Sequence, residues 1–579
     1  MAEISAVIIT LNEERNIKRC VESLQGIADE IVVLDSGSSD NTRAICQSLG
    51  VRFVELEWKG YAAQKNHANQ LATKPYILSL DADEVVSAEL ATSIKNVKHE
   101  LTGIYGFHRL TNYCGHWVKH SGWYPDTKWR LFPRDSAEWV GDFVHEELSF
   151  SGKPKKTLLQ GDLLHYSYIN TAEHRARADK YSALTAKKMF DQGKSASFMK
   201  PKLSAVGRWV KMYLFQGGFR DGWAGKRIAA ISAASNVFKY QELRRLHRSE
   251  SRKSEVKTIA LSRTDSIGDV MLSLPMTGII KREWPNTRIL FIGRGYTEAV
   301  IRCCEHVDSF LDYDELKQLS SSERTLALKT EKIDAFIHVF PRSDIASWAK
   351  KAGIGIRVGT GRRIYNLWNC NYKTWFSRKK STLHEAQLNA LLLKKLDLPF
   401  QFSSSELAAF SGFNHLPVLP QKVEGLLEDG RKKIVLHPKS RGSAVEWSID
   451  NYAILIGRLE KEGYQIFITG TEAERALIGT DFPWDNPSLH DLTGKLSLTE
   501  LIGFIAHCDA LVAASTGPLH IAAACRILAI GLYTPQRPMH PGRWSPIGSN
   551  VKVLTANHHP EKGGSLDISV DDVFALLKF

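Results

Sequence analysis

Glu30–Glu84 contains two apolar runs that each end in aspartate: EIVVLD (Glu30–Asp35), followed by SGSSDNT, and YILSLDADE (Tyr76–Glu84). Short runs rich in Val, Ile and Leu are those of strands buried on both faces of a parallel sheet. Such sheets bind ligands where the carboxyl ends of their strands emerge, so Asp35, Asp81 and Asp83 are expected to share one crevice. Asp81 and Asp83 stand two residues apart, which in an extended backbone turns both carboxylates the same way. Three carboxylates together repel one another and resist burial; a divalent cation with a polar sugar nucleotide would reconcile them. The competing reading is a pair of solvated strand-end turns, because Asp-Ser-Gly is ordinary turn chemistry.

Working outward, Ala6–Thr10 (AVIIT) reads as a preceding strand, and Asn12-Glu13-Glu14 as the acidic opening of a helix. Ser39 or Asp40 is expected to cap a helix over Thr42–Leu49 that Gly50 ends. A strand at Val51–Leu56 and a helix at Tyr61–Ala72 complete a βαβαβαβ run, hence an α/β domain with a parallel sheet.

At 579 residues the chain has room for two to four domains. Its 43% hydrophobic and 24% charged residues are those of an ordinary globular protein. No apolar run reaches membrane-span length and the N-terminus lacks a signal-peptide pattern, so the expectation is a cytoplasmic protein. Eight cysteines without a CxxC pair read as reduced, mostly buried thiols. Residues 151–255 hold 22 Lys or Arg against 8 Asp or Glu, enough to account for the whole net charge of +13. One local basic surface, rather than a coat for nucleic acid, is implied.

VIITLNEERNI, VVLDSGSSDNT and LSLDADE, with NYCGHWVKHSGWYPDTKWRLFPRDSAEWVGDFVHEEL after them, resemble the family 2 glycosyltransferases, and most the lipopolysaccharide core β-glucosyltransferase-like branch. The resemblance covers about the first 240 residues and implies a GT-A fold, a Rossmann-like parallel sheet, over residues 1–170. It also implies that Asp35 holds the uracil or ribose end of a UDP-sugar. Asp83, with Asp81 nearby, would bind Mg²⁺ or Mn²⁺ bridging the diphosphate, as suits a hard cation. A carboxylate must also take the acceptor hydroxyl's proton; Asp142 and Glu146 compete for that role. His145 is either a third metal ligand or a hydrogen-bonding core residue. Trp117, Trp123 and Tyr124 either stack on sugars or fill the core.

His174–Arg248 reads as helical, mixing apolar, aromatic and cationic residues. Arg208 to Phe215 suits an amphipathic element at an anionic lipid surface or near an acidic glycolipid; the alternative is a helical cap with solvated lysines. This basic extension is taken as residues 171–250. Arg248–Glu255 (RSESRKSE) reads as a polar linker.

From Lys257 strands and helices alternate again: a strand to Ser262, a loop with Gly268-Asp269, then a helix to about Glu283. A second alternating block starts at Ile434, giving two Rossmann-like halves over 256–410 and 430–579. SIGDVMLSLP, IVLHPKSRGSAVEWSIDNY, FITGTEAERA and AASTGPLHIAAA fall in the order of the family 9, heptosyltransferase-like glycosyltransferases, and the resemblance implies a GT-B fold. By that resemblance Asp269 is the catalytic base, Glu472 grips a ribose, and Thr516, Gly517 and His520 belong to the donor site, expected to take an ADP-heptose-like donor. The start of a helix at Ser515-Thr516-Gly517 suits a diphosphate, and no cofactor is expected there. Lys439, Ser440 and Arg441 are candidate phosphate contacts. Two departures stand out: Glu446 in Ala444-Val445-Glu446-Trp447, where many members carry a cation, and Ser515, which is aspartate in some.

The whole-chain expectation is a bifunctional inverting glycosyltransferase acting on a lipid A-core or similar glycolipid at the inner face of the inner membrane. The alternatives are one catalytic half joined to an acceptor-binding half, or a membrane-bound scaffold. No nucleic-acid module is seen.

Overall fold

The computed structural model describes residues 2–141, 147–152, 154–440, 442–561 and 563–578. The chain divides into two compact units, Met1–Arg244 and Arg245–Phe579.

Unit 1 is built on the strands β1 (Ile4–Thr10), β2 (Glu30–Asp35), β3 (Arg52–Glu55) and β4 (Tyr76–Asp81), linked by the helices α1 (Ile17–Ser23), α2 (Thr42–Ser48) and α3 (Tyr61–Leu71). The four strands are parallel in the order β3-β2-β1-β4. Beyond β4 the sheet continues through Thr127–Pro133, Ile104–Tyr113, Lys156–Tyr168 and Glu84–Val86. Pairing turns antiparallel at Thr127–Pro133, so the parallel run ends beside Asp81. Buried side chains of β1, β2 and β4 alternate between two apolar layers, one with Ile4, Ala6, Ile8 and Val33, the other with Val7, Val32 and Leu34. That two-faced burial is why these strands read as continuous apolar runs.

Two local expectations change. Asn12 has a φ of 54°, and the first helix starts only at Ile17. Asn12 instead bridges loops, donating its amide to the Ser38 hydroxyl and accepting from the Ser39 amide. The N-cap position of α2 is Asn41, whose side chain makes no cap bond; Asp40, one of the two expected caps, still takes the Thr42 amide at 3.0 Å.

The basic segment is helical: Thr171–Asp191, Lys200–Val210, a π-turn at Lys211–Phe215 and the 34-residue helix Gly222–Glu255. The polar text Arg248–Glu255 is thus the end of a helix, not a linker. It lacks Gly and Pro, and Arg248 and Arg252 pair with Asp397 at 2.8 and 3.2 Å.

Unit 2 holds two six-stranded parallel sheets. The first runs Ser309–Asp312, Arg288–Gly293, Thr258–Ser262, Ala335–His338, Ile356–Thr360, Tyr372–Thr374; the second runs Leu489–Asp491, Gln465–Ile468, Lys433–His437, Ala510–Ala514, Leu528–Tyr533, Val551–Thr555. Counted within each half, both follow the strand order 3-2-1-4-5-6, in which the chain reverses direction across the sheet between the first and fourth strands and leaves a ligand crevice there. The two halves are the GT-B architecture. All eight cysteines are free thiols, six of them buried. No helix among the described residues is long and apolar enough to cross a membrane.

Candidate active sites

In unit 1, Asp35 pairs in register with Thr10, whereas Asp81 pairs with Ile9. Neighbouring positions on a strand face opposite sides, so these two aspartates point to opposite faces of the sheet rather than into one crevice. Asp35 is fully buried. Its Oδ2 accepts the amides of Gly37 and Ser38 at 2.9 and 2.7 Å, and its Oδ1 accepts the Ser38 hydroxyl. The turn chemistry of Asp-Ser-Gly is therefore present, and it fixes the loop after β2.

Asp81 is spent on charge balance. Lys65 Nζ lies 3.0 Å away and Arg130 Nη2 3.2 Å away, both cations nearly fully buried. Burial works against the Asp81 charge, but Lys65 and Arg130 outweigh it and hold the carboxyl well below the usual carboxylate range. Buried Glu84 accepts the Asp81 amide at 3.0 Å and lies 3.4 Å from Arg109. Ala82 and Asp83 form a turn rather than an extended strand, so Asp83 does not follow Asp81. It faces His165 instead, with 3.2 Å between Oδ2 and Nε2. Pairing of His165 with Glu84 in the sheet register brings the imidazole there from the far strand. Burial raises the Glu13 carboxyl, and the charge of Asp83 adds to the rise; Glu13 also donates its amide to the Thr42 hydroxyl. Asp83, Glu13 and the Ser38 turn thus lie along one side of the carboxyl edge.

One carboxylate and one imidazole, both partly exposed, suit a hard or borderline divalent cation. Among the described residues no group of three or more such donors comes together. Asp142, His145 and Glu146 lie outside the described residues. Trp117, Trp123 and Tyr124 are engaged within the protein: Trp117 against Tyr166, Trp123 against Tyr113, Tyr168 and His174, and the Tyr124 hydroxyl on Asp162 at 3.1 Å.

In unit 2, Asp269 lies in the first turn of the short helix Ile267–Met271, just beyond the end of the first strand of its sheet. Arg263, buried at that strand end, ion-pairs with Asp269, with Asp265 at 2.6 Å and with Glu385 at 3.2 Å. Ser266 donates its hydroxyl to Asp269. Burial opposes the Asp269 charge, but Arg263 outweighs it and lowers the carboxyl. Asp265 is raised, by burial first and by the Asp269 charge against the pull of Arg263. Fully buried Glu385 gathers Arg263, Arg378 at 2.9 Å and Arg543 at 3.1 Å.

Asp269 borders two cavities. One, of about 330 Å³, is lined by Ser266, Gly268, Ala444, Thr516, Gly517 and His520 among others. The eight-residue helix Gly517–Ala524 starts there, and the buried Thr516 Oγ1 finds no hydrogen-bond partner among the described residues. Packing is tight: a Cβ on Gly517 would stand 2.9 Å from Ile267. His520 is buried, and burial, with His384 nearby, lowers its imidazole to about 4. The other cavity, of about 770 Å³, carries Arg362, Arg363, Lys379 and Arg537 on its wall in addition to the paired arginines.

The remaining expected donor contacts are placed differently. Lys439 pairs with Glu446 at 3.1 Å, and Ser440 gives that carboxylate its amide at 2.7 Å and its hydroxyl at 2.8 Å. Glu446 therefore holds two of the three side chains expected to meet phosphate. Glu472 is exposed at the start of a helix and lines neither cavity; the buried acid there is Glu474, which closes the helix cap with Thr471. Arg441 lies outside the described residues. Lys65, Arg130, His165 and Glu385 meet their partners only through the fold, far along the chain, and carry no local sequence signal; Arg263 pairs with Asp265 and Asp269 nearby, but its burial is set by the fold.

Residues 5–143 match the model "Glycosyl transferase family 2", and residues 326–565 match "Glycosyltransferase family 9 (heptosyltransferase)". A lipopolysaccharide core biosynthesis glycosyltransferase, LpsC of Rhizobium meliloti, is 30% identical over 243 residues, covering 41% of this chain and 89% of the relative. An uncharacterized glycosyltransferase of Rickettsia felis is 30% identical over 267 residues, covering 42% of this chain and 90% of its own length. The ADP-heptose heptosyltransferase II structure from E. coli aligns with a TM-score of 0.44 at 18% identity, over 55% of this chain and 97% of that one. The chain belongs to the glycosyltransferases, with a family 2 domain towards its N-terminus joined to a family 9 (heptosyltransferase) domain towards its C-terminus.

Proposed function

We propose that the chain is a bifunctional inverting glycosyltransferase of lipopolysaccharide core assembly. Unit 1 transfers a hexose from a UDP-sugar, and unit 2 a heptose-like sugar from an ADP-heptose-like donor, to a lipid A-core type acceptor. The observation that carries this reading is Asp269, a carboxylate whose charge Arg263 favours, set between a cavity with a Thr516 hydroxyl unpartnered among the described residues and a larger cavity rich in arginine. A donor diphosphate at the Thr516-Gly517 helix start would meet free amides and the helix dipole. An acceptor hydroxyl in the larger cavity would give its proton to Asp269, which Arg263 keeps ionised and oriented.

In unit 1, Asp83 and His165 would hold Mg²⁺ or Mn²⁺, which when bound offsets charge on the leaving diphosphate. Lys65 and Arg130 fix Asp81, and the Ser38 turn shapes the nucleoside end beside Asp35. Either Asp142 or Glu146 takes the acceptor proton. The enzyme works at the inner face of the inner membrane. Between Lys194 and Arg227 eight cations face a single, buried aspartate, Asp221, while Leu203, Val206, Leu214, Phe215, Phe219 and Trp223 are exposed. Apolar anchors among cations suit an anionic lipid surface.

The Glu446–Lys439 pair favours a second reading, in which unit 2 binds acceptor and only unit 1 transfers sugar. A donor screen by mass spectrometry on wild type, Asp83→Ala and Asp269→Asn, with core-type glycolipid acceptors, separates the two. Loss of a different product in each variant supports two active sites. An Asp269→Asn protein with an unchanged product set supports the second reading, and no transfer by the wild type defeats both.

A further inference from the structure

We propose that unit 2 has its own lipid-docking lip at the mouth of the arginine-rich cavity, formed by residues 361–384 and fitted to an anionic bilayer surface. In this segment Ile364 is 78% exposed, Trp368 73% and Trp375 68%, with Leu367 also exposed. Ile364, Leu367 and Trp368 belong to the single helix Ile364–Asn369; Trp375 follows the edge strand Tyr372–Thr374. Large side chains this exposed and this close in sequence are not the scattered apolar residues of an ordinary surface. Trp375 lies against the Gly361 backbone, where an added Cβ would come within 2.7 Å of its ring, so the indole is held out rather than loose.

Charge selects the occupant. Residues 361–384 contain six Lys or Arg and no Asp or Glu. Arg378 is taken by Glu385. Among the described residues Arg362, Arg363, Lys373, Lys379 and Lys380 have no carboxylate partner. Trp and Ile beside unpaired cations suit the boundary between headgroups and acyl chains, where an indole sits at headgroup depth and cations meet lipid phosphate. An acidic protein partner would match the charge but not three large, separately projecting apolar side chains. Arg362, Arg363 and Lys379 also line the larger cavity, so the lip and the acceptor cavity share a wall, and a docked lip would open that cavity at the bilayer. That this serves sugar transfer rests on the proposed glycolipid acceptor; the docking itself rests on these side chains.

Hydrogen exchange on the full chain tests the docking without any donor or acceptor. Peptides covering 361–384 are followed with vesicles of phosphatidylethanolamine and phosphatidylglycerol, and with phosphatidylcholine vesicles as the neutral control. The expected result is slower exchange in 361–384 with the anionic vesicles only, lost in Ile364→Ser/Trp368→Ser, a pair whose side chains are too exposed to support the fold. Unprotected wild-type peptides, or equal protection in the double variant, overturn the proposal. As a second measurement, the double variant should transfer roughly ten-fold less to a vesicle-borne acceptor and act normally on its deacylated form. Equal activity on both forms, with exchange protection present, removes the catalytic consequence and leaves the docking. No transfer by the wild type to either form counts against the proposed function alone.

Discussion

Gly268 lies directly under the imidazole of His520, leaving no space for a side chain: a Cβ at 268 would stand 2.9 Å from the ring. The contact joins the short helix that carries Asp269 to the helix that starts at Gly517. Gly268→Ala should cost about 1–3 kcal/mol by overpacking and lower kcat in the second transfer more than it raises the donor KM. Urea unfolding and steady-state kinetics on the same preparation check both parts.

Asp83 faces His165, so in the proposed first site metal dependence should follow both. His165→Ala is expected to raise the Mn²⁺ concentration for half-maximal UDP-sugar turnover by roughly 10–100-fold, and Asp83→Asn at least as much. Titrating the metal at saturating donor measures it. Unchanged metal dependence in His165→Ala would move the ligand role elsewhere.

The Lys439 ammonium is already committed to Glu446, whereas the Thr516 hydroxyl has no partner among the described residues. Lys439→Ala should therefore change ADP affinity by less than about three-fold, while Thr516→Val weakens it about ten-fold, the worth of one hydrogen bond to a charged group. Calorimetric titration with ADP distinguishes the two; the reverse order would show that the pair opens on binding.

Asp265 gives a pH signature of definite sign. Its carboxyl is raised from 3.8 to about 7, so between those values the folded protein holds a proton that the unfolded chain releases. Stability from this group is full below pH 3.8 and is lost as pH rises to about 7. Denaturant melts across that window should show the decline, and Asp265→Asn should flatten it. The lowered Asp269 works oppositely: its share is present above the ordinary carboxylate range and is lost only in stronger acid.

Alternating strands and helices were legible because buried parallel strands are written as short apolar runs: Glu30–Asp35 and Tyr76–Asp81 read directly, as did the restart at Lys257. The positions of Asp35 and Asp81 at strand ends followed from the same runs. Partners were not legible. Lys65, Arg130 and His165 are brought to the Asp81–Asp83 corner by sheet order, which no local period encodes. Arg263 reads like any surface cation until its strand is seen to be covered on both faces. The polar text at Arg248–Glu255 suggested a linker, yet its helix is held by Asp397, nearly 150 residues away. Glu472 stands at a helix start where the resemblance puts a ribose contact, and there it is exposed while Thr471 and Glu474 close the cap.

The pairing of Asp81 with Lys65 and Arg130 also bears on the order in which ligands arrive at the first site. A mouth with three bare carboxylates would turn away a diphosphate until a cation had settled. With Asp81 cancelled and Asp35 closed into its turn, Asp83 is the one member of that trio left facing the approach. A sugar nucleotide carrying a cation, the donor proposed for this site, would then meet one carboxylate instead of three.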